Sequence, residues 1–255
     1  MPHIYALVNQ KGGVGKTTTA INLGAYLAQL GQRVLLIDLD PQANTTSCLG
    51  IDKHKVKTSI YDVLIEGEKP ADAILVSPKL NLSLMPSSPE LSGADVELVN
   101  ELARETRLKT RLASLKGNYD YILIDCPPSL SLLTVNALVA SEAVIIPVQC
   151  EYLALEGLGQ LVQTINRVRS ALNTGLHVRG VVMTMFDART GLSSQVLAEV
   201  RKHFPGKVFK SIIPRSVRLA EAPSHGVPIS AYAASSAGAQ AYHALAEELL
   251  KGDQA

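Results

Sequence analysis

The sequence predicts an α/β domain: a mostly parallel, twisted sheet with helices on both faces. Three observations predict it. Short apolar runs rich in strand formers alternate with segments of helical periodicity along the chain. Several of those runs are apolar at every position, as strands buried on both faces are. No internal repeat, low-complexity tract or Pro/Gly/Ser-rich linker divides the 255 residues, so a single domain over 1–255 is expected.

The elements follow in order. Residues 3–8 are short, apolar and strand-forming. Residues 17–30 read as a helix, with Ala20, Leu23, Leu27 and Leu30 at three- and four-residue steps, and Gly31 stands where a helix C-cap glycine belongs. The run RVLLID at 33–38 reads as a doubly buried strand, as do 121–125, 143–148 and 180–185. Helical patterns occupy about 94–114, 131–140, 152–172, 191–203 and 235–250. Irregular segments are expected at 41–57, 86–93 and 214–232. The last of these carries Pro214, Pro223, Gly226 and Pro228 and reads as a functional loop.

Composition removes several classes. Hydrophobic content of 47% against 18% charged residues excludes a disordered chain. An aromatic share of 4% with no Trp argues against a single-strand binder built on base stacking. No apolar run approaches a bilayer span, and MPHIYALVNQ has neither a basic n-region nor a cleavage site, so neither a membrane span nor a signal peptide is expected. Cys48, Cys126 and Cys150 form no C-x-x-C and read as reduced thiols, and the six histidines show no metal-ligand spacing. The net charge of +1, taken whole, argues against a nucleic-acid binder.

Residues 9–18 read Asn9-Gln10-Lys11-Gly12-Gly13-Val14-Gly15-Lys16-Thr17-Thr18, between a strand and a helix. This is the setting of a phosphate loop, which makes the fold that of a single-domain P-loop NTPase. Glycines let successive N–H groups turn around an anion, and the helix N-terminus adds partial positive charge. Lys16 would reach the β- and γ-phosphates and the Thr17 hydroxyl would ligate Mg²⁺. Two apolar strands end in acids: Asp38 and Asp40 close RVLLIDLD, and Asp125 closes YILID. Strand carboxyl ends face the ligand in a parallel sheet, so Asp125 is placed at the Mg²⁺ shell, acting through water, and Asp38 at loop contacts.

The loop departs from G-x-x-x-x-G-K-[ST] by having Gln10 in place of glycine and an added Lys11. This K-G-G-x-G-K-T form resembles the deviant Walker A motif of the ParA/MinD ATPases. The segments at 38–50, 119–138, 144–158, 183–190 and 213–226 are similar to ParA/Soj chromosome-partitioning ATPases, so the resemblance covers nearly the whole chain. It implies ATP and Mg²⁺ as cofactors and an ATP-dependent homodimer sandwiching two nucleotides. Lys11 would then reach the partner's ATP as a charge stabiliser, and Asp40 would align or activate the attacking water. Residues 11–18 would bind nucleotide, with Pro214 and Ser216 against the adenine. Many relatives carry Asn where this chain has Ser216. No glutamine-type water-positioning residue can be assigned, which implies slow hydrolysis until a ParB/Spo0J-like centromere-binding partner accelerates it.

Split by region, the charge reads differently. Residues 161–220 hold ten Lys/Arg and two acids, a local +8 that leaves −7 on the rest. Such density is an electrostatic footprint for a phosphate backbone. By resemblance, Arg189 and Arg218 would contact non-specific double-stranded DNA, joined by Arg201 and Lys202. The expected protein is cytoplasmic and nucleoid-associated and serves chromosome or plasmid segregation. The alternatives are a ParA-like positioner of another cargo, or a MinD-like membrane-associated division regulator. The tail AYHALAEELLKGDQA carries Glu247 and Glu248 with few cations, so it reads as a helix packed on the domain and no membrane is expected. A metal-cluster carrier would need paired cysteine ligands, and Cys126 has no counterpart.

Overall fold

The computed structural model describes residues 2–115, 117–151 and 154–254. Among them, β1 (His3–Leu7), β2 (Val34–Asp38), β3 (Leu75–Ser77), β4 (Leu82–Met85), β5 (Tyr121–Asp125), β6 (Ala143–Gln149) and β7 (His177–Thr184) form one sheet. Its seven strands run in the order β3-β4-β2-β5-β1-β6-β7, and only the β3–β4 pair is antiparallel. The chain passes from β1 to β2, yet β5 lies between them, so the loops after β1, β2 and β5 meet at one sheet edge.

The helices are α1 (Lys16–Gln29), α2 (Asn44–Cys48), α3 (Ala94–Val99), α4 (Arg107–Leu112), α5 (Leu132–Ala140), α6 (Ala154–Ala171), α7 (Gly191–His203), α8 (Val217–Glu221), α9 (Ile229–Tyr232) and α10 (Ala237–Asp253). Two apolar layers flank the sheet. Leu35, Ile37, Ile122, Ile124, Val144 and Ile146 face the layer that contains α3 to α7. Leu36, Leu123, Ile145 and Val182 face the layer that contains α1 and α10. Alternate residues of each run thus serve opposite cores, which is why the runs are apolar throughout.

α10 lays Tyr242, Leu245, Ala246 and Leu249 into the second layer. Its far end is tied by Arg179, whose Nε donates to Asp253 Oδ1 at 2.7 Å, while Asp253 Oδ2 accepts from the Tyr121 hydroxyl at 3.0 Å. The apolar side of the tail is therefore covered by protein, as the acid-rich sequence predicts. No described helix is long and apolar enough to cross a membrane.

One predicted helix is not continuous. The periodicity at 94–114 predicts a single rod, but α3 stops at Val99, Ala103 turns left-handed (φ 53), and α4 begins at Arg107. Buried Asn136 of α5 stitches the break: its amide donates to the Arg104 carbonyl at 2.8 Å and its oxygen accepts from the Leu108 N–H at 3.1 Å. A side chain that satisfies both loose backbone groups removes the penalty for interrupting the helix. The predicted helix start at 152 falls partly on residues 152–153, outside the described residues, and α6 is described from Ala154. The pair β3–β4 and the π-helical turn Asp62–Glu66 were not expected from the sequence pattern.

Candidate functional site

The loop after β1 is pinned at its entrance. Asn9 Nδ2 donates to the Pro147 carbonyl at 2.7 Å, and Asn9 Oδ1 accepts from the Lys11 N–H at 3.0 Å. Gly13 (φ 75) and Gly15 (φ 90) take left-handed conformations that a side chain would strain. The backbone N–H groups of residues 12–18 find no acceptor among the described residues; pairing resumes with Thr19, which donates to the Gly15 carbonyl. A continuous run of free donors at the start of a 14-residue helix is a binding surface for phosphate.

The two loop lysines behave differently. Lys16 is buried (7% exposed), and its Nζ spans the loop to the Lys11 carbonyl at 3.2 Å. Burial pulls its ammonium below the ordinary lysine range, against the opposing pull of Asp125, Cys126 and Asp40. Lys11 is half-exposed and pairs with Glu151 on the neighbouring loop after β6.

The carboxylates cluster beside the loop. Asp38 and Asp125 are register partners on adjacent strands. Asp38 accepts from the Thr46 N–H at 2.8 Å and the Thr46 hydroxyl at 2.7 Å, so it holds α2. Burial, and then the charge of Asp125, push its carboxyl up to about 7. Asp125 Oδ2 accepts from the Thr17 hydroxyl at 2.7 Å and the Thr45 hydroxyl at 2.8 Å. Burial pushes Asp125 up to about 6, against those two bonds and the nearby Lys16. Asp40 accepts from the Gln42 N–H at 2.9 Å and lines the loop cavity.

Two adjoining cavities share Gly15, Thr18 and Met185. One, of about 350 Å³, is lined by Gly12, Gly13, Lys16, Thr17 and Asp40. The other, of about 280 Å³ and mainly apolar, is lined by Ile213, Pro214, Ser216, Leu219 and Tyr242. A more polar pocket beside a mainly apolar one suits a phosphate chain continuing into a flat base. The structure thus brings the sequence-predicted phosphate-loop, carboxylate and base-side residues to one edge of the sheet.

The residues also fit a magnesium ion. Asp125 Oδ1 is buried with no hydrogen-bond partner among the described residues, beside the Thr17 hydroxyl. No group of three or more His, Cys, Asp or Glu able to hold a metal occurs among the described residues. One hydroxyl and one carboxylate suit a small hard cation that keeps its waters and takes phosphate oxygens. Thr17 and Asp125 would hold it, directly or through water.

The predicted DNA contacts are exposed but not brought to one point. Arg189 pairs with Asp187 before α7, Arg201 and Lys202 lie in its last turn, and Arg218 pairs with Glu221 on α8. Of the cations counted in the basic stretch, Arg179 is taken up by Asp253 and by the face of Phe209.

Sequence reasoning missed several neighbours. Thr45 and Thr46 hold the two buried aspartates, Thr184 donates to the Val14 carbonyl at 2.8 Å, and Met185 sits at positive φ (52) between the cavities. Thr45 and Thr46 stood in a segment singled out for its family resemblance, and that was the only signal. Thr184 and Met185 stand in another such segment, 183–190, but nothing in the residues themselves points Thr184 at the phosphate loop, because its partner is 170 residues away.

Comparison with known proteins gives a consistent answer. A family model described as an AAA domain matches residues 2–178. The chain is 56% identical to the sporulation initiation inhibitor protein Soj of Bacillus subtilis, over 98% of each. It is 51% identical to the chromosome partitioning protein ParA of Caulobacter vibrioides, over 98% of this chain and 95% of that one. Among solved structures, a Mycobacterium smegmatis protein described as cobyrinic acid a,c-diamide synthase, with bound ADP and magnesium, superposes with a TM-score of 0.89 at 39% identity, covering 100% of this chain and 96% of that one. The septum site-determining protein MinD of Pyrococcus horikoshii, complexed with Mg-ADP, gives 0.80 at 30% identity, covering 100% and 99%. With relatives this similar along almost its whole length, the chain belongs to the ParA/Soj family of chromosome-partitioning ATPases.

Proposed function

We propose that this ATPase is a nucleotide-timed DNA-binding switch. ATP joins two protomers, the joined pair holds double-stranded DNA without sequence preference, and a ParB/Spo0J-like partner accelerates hydrolysis and release. The switch serves chromosome or plasmid segregation, on the nucleoid in the cytoplasm. The observation that carries this reading is a continuity of chain. The segment that lines the apolar cavity, with Pro214, Arg215 and Ser216, runs within two residues into exposed Arg218, so base occupancy bears directly on a candidate DNA contact.

Within the site, the free N–H groups of residues 12–18 and buried Lys16 bind and orient the phosphates. Pro214 and Ser216 wall the base. Asp40 orients the attacking water and takes its proton, and Lys11, once parted from Glu151, supplies charge to the partner protomer's nucleotide. Thr17 and Asp125 would hold Mg²⁺, directly or through water, and the ion would supply neutralisation of phosphate charge. Arg189, Arg218, Arg201 and Lys202 contact phosphates of the DNA backbone.

The test is DNA binding across a salt series with ADP, ATP and a non-hydrolysable analogue. Lys16→Ala is expected to lose nucleotide-dependent DNA binding. Asp40→Ala should keep ATP dimers and hydrolyse little. Arg189→Ala should dimerise and bind DNA weakly. Nucleotide-free monomer that bound DNA as tightly as the ATP form would overturn the switch, and full turnover by Asp40→Ala would overturn its catalytic role.

A further inference from the structure

The phosphate loop is held from outside by a residue that its motif does not contain. Thr184 ends β7, the far edge strand, and is buried at 2% exposure. Its hydroxyl donates to the Val14 carbonyl at 2.8 Å, and its own carbonyl accepts from the Cys150 N–H at 3.0 Å. Its methyl lies 3.7 Å from where a Cβ on Gly15 would stand.

The Val14–Gly15 peptide is trans, so its C=O and N–H point in opposite directions. Fixing the carbonyl on Thr184 turns the Gly15 N–H away from Thr184. Gly15 lines both cavities, whereas Thr184 lines the apolar one and not the phosphate-side one. Gly15 has no side chain to resist rotation of this peptide, because glycine accepts either sign of φ (here 90). A rotated peptide would withdraw one donor from the anion surface and put a carbonyl oxygen in its place. The glycine that lets the loop curl is therefore also the point at which the loop can fail.

We propose that Thr184 is a positioning residue for nucleotide binding: its hydroxyl latches the Val14 carbonyl so that the Gly15 N–H is aimed at the phosphates before nucleotide arrives. The latch sets the fraction of free protein that is competent to bind, and apparent affinity scales with that fraction. Bound phosphate itself holds the Gly15 N–H, so the latch is not needed once the site is full. Its loss should weaken binding and leave the rate at saturation unchanged.

The inference rests on residues 9–18 being the phosphate site, and the experiment separates the two. ATP and ADP affinity, KM and kcat are measured for wild type, Thr184→Val, Thr184→Ser and Lys16→Ala, with thermal unfolding of each. Thr184→Val keeps the shape and removes the hydroxyl. It should bind ATP and ADP about fivefold to tenfold more weakly, the worth of one hydrogen bond, with KM raised in step and kcat within about twofold of wild type. Thr184→Ser keeps the hydroxyl and should bind as wild type does. Should Thr184→Val not fold, Thr184→Ala removes the hydroxyl without bulk and is read by the same split. Wild-type affinity in the hydroxyl-free variant, a fall in kcat that matches the fall in affinity, or a serine variant as weak as valine would each overturn the latch. Undiminished ATP binding by Lys16→Ala would instead overturn the phosphate-site reading.

Discussion

Thr17 and Asp125 are joined across 108 residues: the Thr17 hydroxyl donates to Asp125 Oδ2 at 2.7 Å, while Asp125 Oδ1 lies buried with no partner among the described residues. The bond orients the carboxylate so that its unpaired oxygen is the one left for a cation or its water. An Asp125→Asn variant keeps the shape and loses the charge. It should weaken magnesium binding by about 10- to 100-fold, the usual cost of losing an orienting partner of a bound metal. ATP affinity should then be nearly the same in Mg²⁺ as in EDTA. Calorimetric titration in both buffers checks it, and an unchanged magnesium dependence would remove Asp125 from the metal shell.

The buried aspartates also make stability depend on pH. Asp38 sits at about 7 and Asp125 at about 6, raised chiefly by burial, so the folded chain holds their protons more tightly than the unfolded one. Their contribution is full below the unfolded carboxylate range and is lost as pH rises through 6 to 7. Nucleotide-free protein should therefore lose stability between pH 5 and pH 8, by up to about 1.4 kcal/mol per pH unit for each proton released. Urea midpoints across this range check the sign, and Asp38→Asn should flatten the profile. A midpoint that rises from pH 5 to pH 8 would contradict the assignment.

Much of this was legible in the sequence, for physical reasons that also mark where legibility ends. RVLLID and YILID announce themselves because both sheet faces are covered, so every position must be apolar. The phosphate loop is legible because its chemistry is local: consecutive glycines, one lysine, one hydroxyl. The β3–β4 pair is not, because three- and four-residue strands give too few positions for a period to show. The break after α3 is not, because the residue that makes it affordable, Asn136, lies 32 positions from the carbonyl it satisfies. Charge counting placed Arg179 in a binding face, because its partner Asp253 is 74 residues away in sequence.

Gly50 and Gly226 join two of the segments that resemble the family, 38–50 and 213–226. A Cβ on Gly226 (φ 67) would stand 2.7 Å from Gly50 Cα. Backbone against backbone leaves no flexible atom to yield. Gly226→Ala should cost about 2–4 kcal/mol through overpacking and left-handed strain. It should also displace the segment that lines the apolar cavity, weakening ATP binding. Denaturant unfolding and nucleotide titration of one preparation read both, and unchanged stability would show that the contact is not tight.

Lys11 and Glu151 form an ion pair within one protomer, with side chains 43% and 30% exposed. If Lys11 serves the partner's nucleotide, this pair has to part. Exposed pairs are worth about 0–1 kcal/mol, so the barrier is small. Glu151→Gln should leave stability within about 0.5 kcal/mol and lower the ATP concentration for half-dimerisation by up to about fivefold. Light scattering against ATP concentration measures it, and a higher threshold would mean that Glu151 supports the dimer instead.

Arg179 and Arg189 belong to the same basic stretch and should fail in opposite ways. The Arg179 side chain is 20% exposed and its partner Asp253 is 3% exposed, so Arg179→Ala strands a buried carboxylate and should cost about 3–5 kcal/mol. Facing no solvent anion, it should leave the salt dependence of DNA binding unchanged at temperatures where the variant stays folded. The Arg189 side chain is 86% exposed, and its pairing with Asp187 is one that a DNA phosphate can displace. Arg189→Ala should leave stability within about 0.5 kcal/mol and reduce the slope of log K against log salt by about 1 for each protomer in contact. The two readouts together separate a cation that holds the tail in place from one that touches DNA. A shallower slope for Arg179→Ala, or an unchanged one for Arg189→Ala, would reverse that assignment.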